Sequence, residues 1–265
     1  MTTRLQGVLS AGGVLDRIVE AKARRLELVK RNQIDDEISV RARRSFAEAL
    51  SGSERINIIA EIKRRSPSKG MLRENFNPSA IALSYERAGA AAISVLTEED
   101  FFDGSIDHLA AVRASVSIPI LRKDFIFDEH QIREAARAGA DALLLIVAIL
   151  DDELLRRLID AAHRAGLDAL VEVHTAQEME RAVRAGARII GVNNRDLTTF
   201  NVTLETSTHL ARLAPAEALL VSESGISTRD DIDRLREAGF KAFLIGEHFM
   251  RADDPGESLV RLVNG

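Results

Sequence analysis

The segment Ile58-Ile59-Ala60-Glu61-Ile62-Lys63-Arg64-Arg65-Ser66-Pro67-Ser68-Lys69-Gly70 joins an apolar run to a polar turn. Glu61 and Lys63 are two apart, so on a strand their side chains share a face. A carboxylate and an ammonium are costly to bury alone. They must therefore pair with each other or line a cavity, and a purely structural ion pair is the competing reading. Hydroxyls, main-chain N–H groups and a glycine follow from Ser66 to Gly70, a cradle suited to an anion where a strand ends.

Other apolar runs end in the same way. Arg122-Lys123-Asp124-Phe125, Asn193-Asn194-Arg195-Asp196, Ser222-Glu223-Ser224-Gly225 and Gly246-Glu247 each close one, and Glu172 sits inside Ala169–Val173. Two lysines, several carboxylates and an amide supply general acids and bases without a metal. Arg122 and Lys123 are adjacent, so one faces each side, and strand parity does not say which. Asn193 could equally serve strand-end backbone. The six histidines, His108, His130, His163, His174, His209 and His248, show no metal-type pairing, and His163 and His209 read as helix-surface residues. There are no cysteines, which excludes thiolate nucleophiles, disulfides, zinc–thiolate sites and iron–sulfur clusters.

The elements that position these residues follow from a weak repeat. Arg-Ala-Gly at 87–89, 137–139, 164–166 and 184–186, and Glu-Ala-Gly at 237–239, each precede a short apolar run. The pattern is a helix stopped by a glycine and followed by a buried strand. Three more strands, Ile58 to Lys63, Ile118 to Lys123 and Ala218 to Ser222, bring the number to eight. Helices are predicted at about 78–89, 105–115, 128–138, 151–165, 175–185, 204–213, 228–238 and 255–263. Eight strand–helix units define an α/β chain folded as a (β/α)8 barrel, whose active site lies at the C-terminal ends of the strands. A doubly wound open sheet is the alternative, disfavoured because no Gly-x-Gly-x-x-Gly follows the first strand. Residues 1–57 read as a helical extension, with helices at about 13–31 and 46–50 that cap the barrel floor or cover its mouth. Residues 58–265 form the barrel, and no linker divides the chain into separate domains.

The chain has 265 residues, 46% of them hydrophobic and 29% charged, ample for one large core. A formal net charge of -5 argues against non-specific nucleic-acid binding. The N-terminus lacks the basic and apolar segments of a signal peptide. The longest apolar run, Ala142 to Leu150, is too short to span a bilayer. No membrane association and a cytoplasmic location are the expectation.

The chain resembles the indole-3-glycerol phosphate synthase family. The resemblance runs in order through Ala60–Gly70, Ile93–Glu98, Phe102–Ser105, Pro119–Phe125, Val171–Val173, Gly191–Leu197, Ser222–Ile226 and Phe243–Gly246. The first and third of these together are highly specific. The resemblance implies ring closure of 1-(2-carboxyphenylamino)-1-deoxyribulose 5-phosphate with loss of carbon dioxide and water. It implies no cofactor and no metal, a small-molecule partner only, and a monomer or weak homodimer.

By motif position, Lys123 is the expected general acid at the substrate carbonyl, and Glu172 serves proton transfer in dehydration. Lys63 holds the substrate and donates a proton later, and Glu61 orients and balances the lysines. Asn193 and Ser224 position substrate oxygens, and Glu223 is a polar wall residue near the reacting centre. Phosphate is expected on Ser66, Gly225, Gly246 and the N–H of Glu247, whose carboxylate should turn away from it. Arg195 meets the substrate carboxylate or holds Asn193. Phe102, Leu121, Phe125, Leu144, Ile146 and Leu197 enclose the aromatic ring.

The mouth is expected to be locally basic, and a second lysine is expected to lower the pKa of the acid. Some family members lay an aromatic from the N-terminal helix over the substrate. This chain has no Trp and its first aromatic is Phe46, which leaves the cover of the pocket undefined. Two other functions suit the same residues: a Schiff-base aldolase using Lys123 or Lys63, and a non-catalytic phosphosugar-binding barrel. The isomerase that precedes the synthase is disfavoured, because its usual cysteine base has no counterpart.

Overall fold

A computed structural model describes residues 6–32, 44–52, 55–196 and 199–265. Eight parallel strands close into a barrel. They are β1 (Asn57–Ile62), β2 (Ala92–Leu96), β3 (Ile120–Lys123), β4 (Ala142–Ile146), β5 (Asp168–Val173), β6 (Ile189–Asn193), β7 (Leu219–Glu223) and β8 (Ala242–Ile245). Each pairs with its sequence neighbours, and β1 closes the ring by pairing with both β2 and β8. The strands read as near-continuous apolar runs because side chains on one face fill the barrel and those on the other meet the helices.

After the N-terminal helices α1 (Gly13–Asn32) and α2 (Phe46–Ser51), the outer layer comprises α3 (Pro78–Arg87), α4 (Ile106–Ser115), α5 (Glu129–Ala138), α6 (Asp152–Arg164), α7 (Ala176–Arg184), α8 (Glu205–Leu210), α9 (Arg229–Glu237), α10 (Glu247–Met250) and α11 (Pro255–Asn264). Apolar residues at helical spacing face the barrel, as with Leu154, Leu155, Leu158, Ile159 and Ala162 of α6. The five glycines of the repeat all take left-handed backbone, with φ of 87°, 92°, 70°, 85° and 106°. They end the helices so that the chain can turn into the next strand.

Three features depart from the sequence expectation. β3 begins at Ile120, after Pro119, which has no N–H to give to a ladder. Arg65–Ser66 pairs antiparallel with Gly70–Met71, so the turn after β1 is a small closed hairpin. The four-residue α10 starts directly at the end of β8 and is not among the helix ranges predicted from periodicity.

The two N-terminal helices do different jobs. α2 seals the floor: Phe46 and Leu50 are fully buried, and the N–H groups of Arg44 and Ala47 donate to Asp141 and Asp168 at the strand starts. α1 lies across the mouth. Its Lys22 is almost fully buried and pairs with Glu99 and Asp124, both at 2.8 Å. Arg25 pairs with Asp100, and Lys30 with Asp128. These partners follow β2 and β3, so ion pairs fasten the cover to the rim. Lys22→Met should loosen this latch and speed amide exchange in α1 by about tenfold, or about 1.4 kcal/mol, with the strands unaffected. Hydrogen-exchange mass spectrometry checks this, and unchanged α1 protection would contradict it.

Candidate active site

A cavity of about 480 Å³ opens at the C-terminal ends of the strands. Its deepest groups are charged. Lys123 Nζ, at the end of β3, lies 3.1 Å from Glu172 Oε2 of β5 and 3.4 Å from Glu223 Oε2 of β7. Lys63, one residue beyond β1, is hydrogen-bonded to Glu61 Oε1. Glu61, Glu172 and Glu223 are all almost completely buried. The parity question is settled: Lys123 faces the cavity, and Arg122 turns outward toward α5. There Arg122 donates to Thr97 Oγ1 (3.1 Å), Gln131 O (2.8 Å) and Asp124 (2.9 Å), and pairs with Glu134 (2.7 Å).

Burial and charge set the protonation states. Burial favours a neutral Lys123, but Glu172, Glu223 and Glu61 outweigh it and hold the ammonium well above its ordinary range. The expected lowering by a second lysine is therefore overturned, because carboxylates dominate the surroundings. Burial likewise favours a protonated Glu172, yet Lys123 and His174 hold it well below the carboxylate range. Glu223 goes the other way. Burial pushes it up to about 8, Lys123 opposes the rise, and Glu172 and Glu61 reinforce it.

Two glycines make room for this cluster. A Cβ on Gly191 of β6 would stand 2.2 Å from Glu223 Oε1, and one on Gly246 would stand 2.3 Å from Glu61 Oε1. Both distances are far inside van der Waals contact, so these carboxylates occupy the space that side chains there would need. Asn194 fixes the end of β7 by donating from Nδ2 to Ser222 Oγ and to the Glu223 and Ser224 carbonyls, each at 3.0 Å. Ser224 follows with φ of 67°, an uncommon conformation for a residue with a side chain.

One side of the cavity is an apolar slot. Phe102 and Phe125 have ring centroids 6.1 Å apart, and Leu96, Leu144 and Ile146 lie beside them. Val14, Leu15 and Ile18 of α1 complete it, aliphatic where an aromatic cover was absent from the sequence. The opposite side is polar, with Ser66, Gly225, Gly246 and the start of α10. Glu247 turns its carboxylate to Arg251 (3.3 Å), Arg195 (3.4 Å) and Lys69 (3.9 Å). Arg195 holds Asn193 through its main chain, whose N–H donates to Asn193 Oδ1 at 3.1 Å.

Two expectations need correction. Leu121 is fully buried and does not line the cavity: it is two residues below Lys123 and belongs to the packing beneath it. The mouth is balanced, not basic, because Lys63, Lys123, Arg195 and Arg251 share the wall with Glu61, Asp124, Glu172, Glu223 and Glu247. Leu197 lies outside the described residues. The other expected residues all line the cavity. Sequence reasoning missed α1's aliphatic face, Phe200 and Val202 from the loop after β6, and His174. The last had a signal, since it is two residues beyond Glu172 at a strand end.

The fold and the mouth-facing acid–base cluster define a (β/α)8 barrel of the enzyme class. Two solved structures with this fold are an N-acetylmannosamine-6-phosphate 2-epimerase from Clostridium perfringens and a thiamine phosphate pyrophosphorylase from Pyrococcus furiosus. Their TM-scores are 0.62 and 0.59, at 15% and 17% identity, covering 79% and 78% of this chain and 93% of each. At that identity the likeness concerns fold alone. The profile of indole-3-glycerol phosphate synthase matches residues 15–262. Proteins of that name from Burkholderia vietnamiensis and Carboxydothermus hydrogenoformans are both 46% identical to this chain. The alignments cover 94% and 92% of this chain, and 98% and 97% of theirs. The chain belongs to the indole-3-glycerol phosphate synthase family.

Gly191→Ala tests the packing of the acid–base cluster. The new methyl must displace the Glu223 carboxylate, so turnover should fall by about tenfold or more while the far-ultraviolet circular dichroism is unchanged. Full activity in this variant would contradict the arrangement.

Proposed function

We propose that this cavity converts 1-(2-carboxyphenylamino)-1-deoxyribulose 5-phosphate to indole-3-glycerol phosphate, a carboxy-lyase step of tryptophan biosynthesis. The observation that carries the reading is the buried Lys123–Glu172 pair beside an apolar slot. The aromatic ring lies between Phe102, Phe125, Leu144 and Ile146. The phosphate lies at the opposite side, on Ser66 and the N–H groups of Gly225, Gly246 and Glu247. Because Glu247 is neutralised by Arg195, Arg251 and Lys69, its main chain can meet an anion without opposition from its carboxylate.

The ring carbon bearing the carboxylate bonds to the substrate's carbonyl carbon, and Lys123 gives a proton to the carbonyl oxygen. Carbon dioxide then leaves, and its bonding pair returns to the ring. In the dry slot a carboxylate loses solvation, which favours this step. Glu172 next removes a proton from the adjacent methylene carbon while the new hydroxyl leaves as water, protonated by Lys63. Glu61 holds Lys63, and Asn193 and Ser224 bond substrate oxygens. In the free enzyme the ion pair keeps Lys123 protonated and Glu172 ionised, the states each role needs. Substrate must draw Lys123 from Glu172 toward the carbonyl.

The proposal includes a cytoplasmic enzyme. Among the described residues no helix is long and apolar enough to cross a membrane. Lys123→Ala should lower indole-forming turnover by about a thousandfold or more with the fold intact, read by product fluorescence. Near-normal turnover would refute the role of Lys123. A borohydride-trapped adduct with the substrate would favour a Schiff-base aldolase instead.

A further inference from the structure

Glu172 is held from two sides. Its Oε2 meets Lys123 within the cavity, and its Oε1 faces His174 Nε2 at 3.4 Å on the far side. The His174 side chain is only 11% exposed. Its other ring nitrogen, Nδ1, lies 3.2 Å from Glu178 Oε2, and the same oxygen accepts the His174 main-chain N–H at 2.7 Å. Glu178 is the third residue of α7, and its own N–H donates to Thr175 Oγ1, which caps that helix. The start of α7 therefore fixes a carboxylate, that carboxylate fixes the imidazole, and the imidazole presses on Glu172.

Glu223 has no cation of its own, and it faces the Glu172 and Glu61 carboxylates. It shares Lys123 with Glu172, and its Oε1 has no hydrogen-bond partner among the described residues. Two carboxylates around one buried ammonium cannot both ionise cheaply, so one of them keeps a proton. Lys123 already leans toward Glu172, with a hydrogen bond of 3.1 Å against an ion pair of 3.4 Å to Glu223, and His174 adds to that bias. Of these two carboxylates, His174 contacts Glu172.

We propose that His174 is a positioning residue that completes this choice: held by Glu178, it secures the negative charge on Glu172 and leaves the proton on Glu223. The inference rests on the reading of Glu172 as the base, and it explains why two similar strand-end glutamates would take different roles. The surroundings agree. Burial works against a charged imidazole, but Glu172 and Glu178 outweigh it and raise His174 to about 10, so it is a cation at neutral pH.

The remaining charged groups on these elements are engaged elsewhere. His174 borders a second, more polar cavity whose wall includes Asp151, Asp152, Arg181 and Asp196. Arg181 of α7 pairs with Asp152 at 2.5 Å, and Asp151 caps α6. On the cavity side Glu61 of β1 is taken by Lys63. Glu178 meets the imidazole within hydrogen-bond distance, and Glu172 meets it as an ion pair at 3.4 Å without a hydrogen bond.

The test follows the side-chain carboxyl carbons of Glu172 and Glu223 by carbon-13 NMR in the intact enzyme, each assigned by its loss in Glu172→Gln or Glu223→Gln. In the unsubstituted enzyme Glu172 should stay ionised through the mildly acidic range and Glu223 should titrate well above it. In His174→Gln the two titrations should converge, with Glu172 moving up by about one pH unit or more. The acid limb of kcat should shift upward with it, and KM should stay within about twofold. Glu178→Gln, which leaves the imidazole in place, should shift Glu172 in the same direction by less, and it serves if His174→Gln fails to fold. Unchanged titration of both carboxylates in a folded His174→Gln or Glu178→Gln enzyme would overturn the proposal, even if activity fell. A shift in titration together with full turnover of Glu172→Gln would instead overturn the base role and leave the charge assignment standing.

Discussion

A lysine ammonium at the base of a largely apolar cavity is the constraint on which this site depends. Burial alone would strip Lys123 of its proton, and a neutral amine is no acid. The barrel answers with carboxylates from three other strands, Glu61, Glu172 and Glu223. Those carboxylates then need space, which Gly191 and Gly246 give by having no side chain. They also need compensation, because three buried anions around one cation would be as costly as the bare cation. Lys63 takes Glu61, His174 takes the second oxygen of Glu172, and Glu223 holds a proton. The parallel register makes this assembly possible. Glu172 lies beside Ile146 and Gly191, and Glu223 beside Asn193 and Leu244, so charged, small and apolar positions alternate around the mouth.

The same logic continues outward from the cluster. Asp124, the residue after Lys123, is fully buried, and it is held by Lys22 of α1 and by Arg122 and Thr97. Burial works to raise its pKa, but Lys22 and Arg122 bring it down to about 2. The cover of the pocket is thus tied electrostatically to the strand that carries the proposed acid. The same helix supplies the aliphatic wall of the slot. One element therefore excludes water from the proposed ring site and steadies the strand end beside it.

Much of this was legible in the sequence, and the reasons differ from residue to residue. The barrel was readable because each Arg-Ala-Gly stop precedes a buried strand. The polar residues at strand ends were readable because a charge next to an apolar run needs a purpose. Arg122 and Lys123 could not be told apart, since parity fixes only that they diverge. Which one faces inward is set by register with β2 and β4. Leu121 was taken one layer too high for the same reason. The balance of charge was misjudged because counting strand-end lysines ignores the carboxylates that burial obliges them to keep, and this also reversed the expected direction for Lys123. His174 was passed over because it was weighed only as a metal ligand, although its spacing from Glu172 put both on one side. The place of α1 over the mouth follows from Lys22, whose partners lie some 77 and 102 residues away in sequence.

The site depends on Lys123 being held as an ammonium by buried carboxylates. A nitrogen-15 NMR titration of the Lys123 side chain in the intact, substrate-free enzyme tests it directly, with the signal assigned by its loss in Lys123→Ala. Nζ should remain protonated beyond 10.5, the ordinary lysine value. A lysine that loses its proton at or below that value would contradict it.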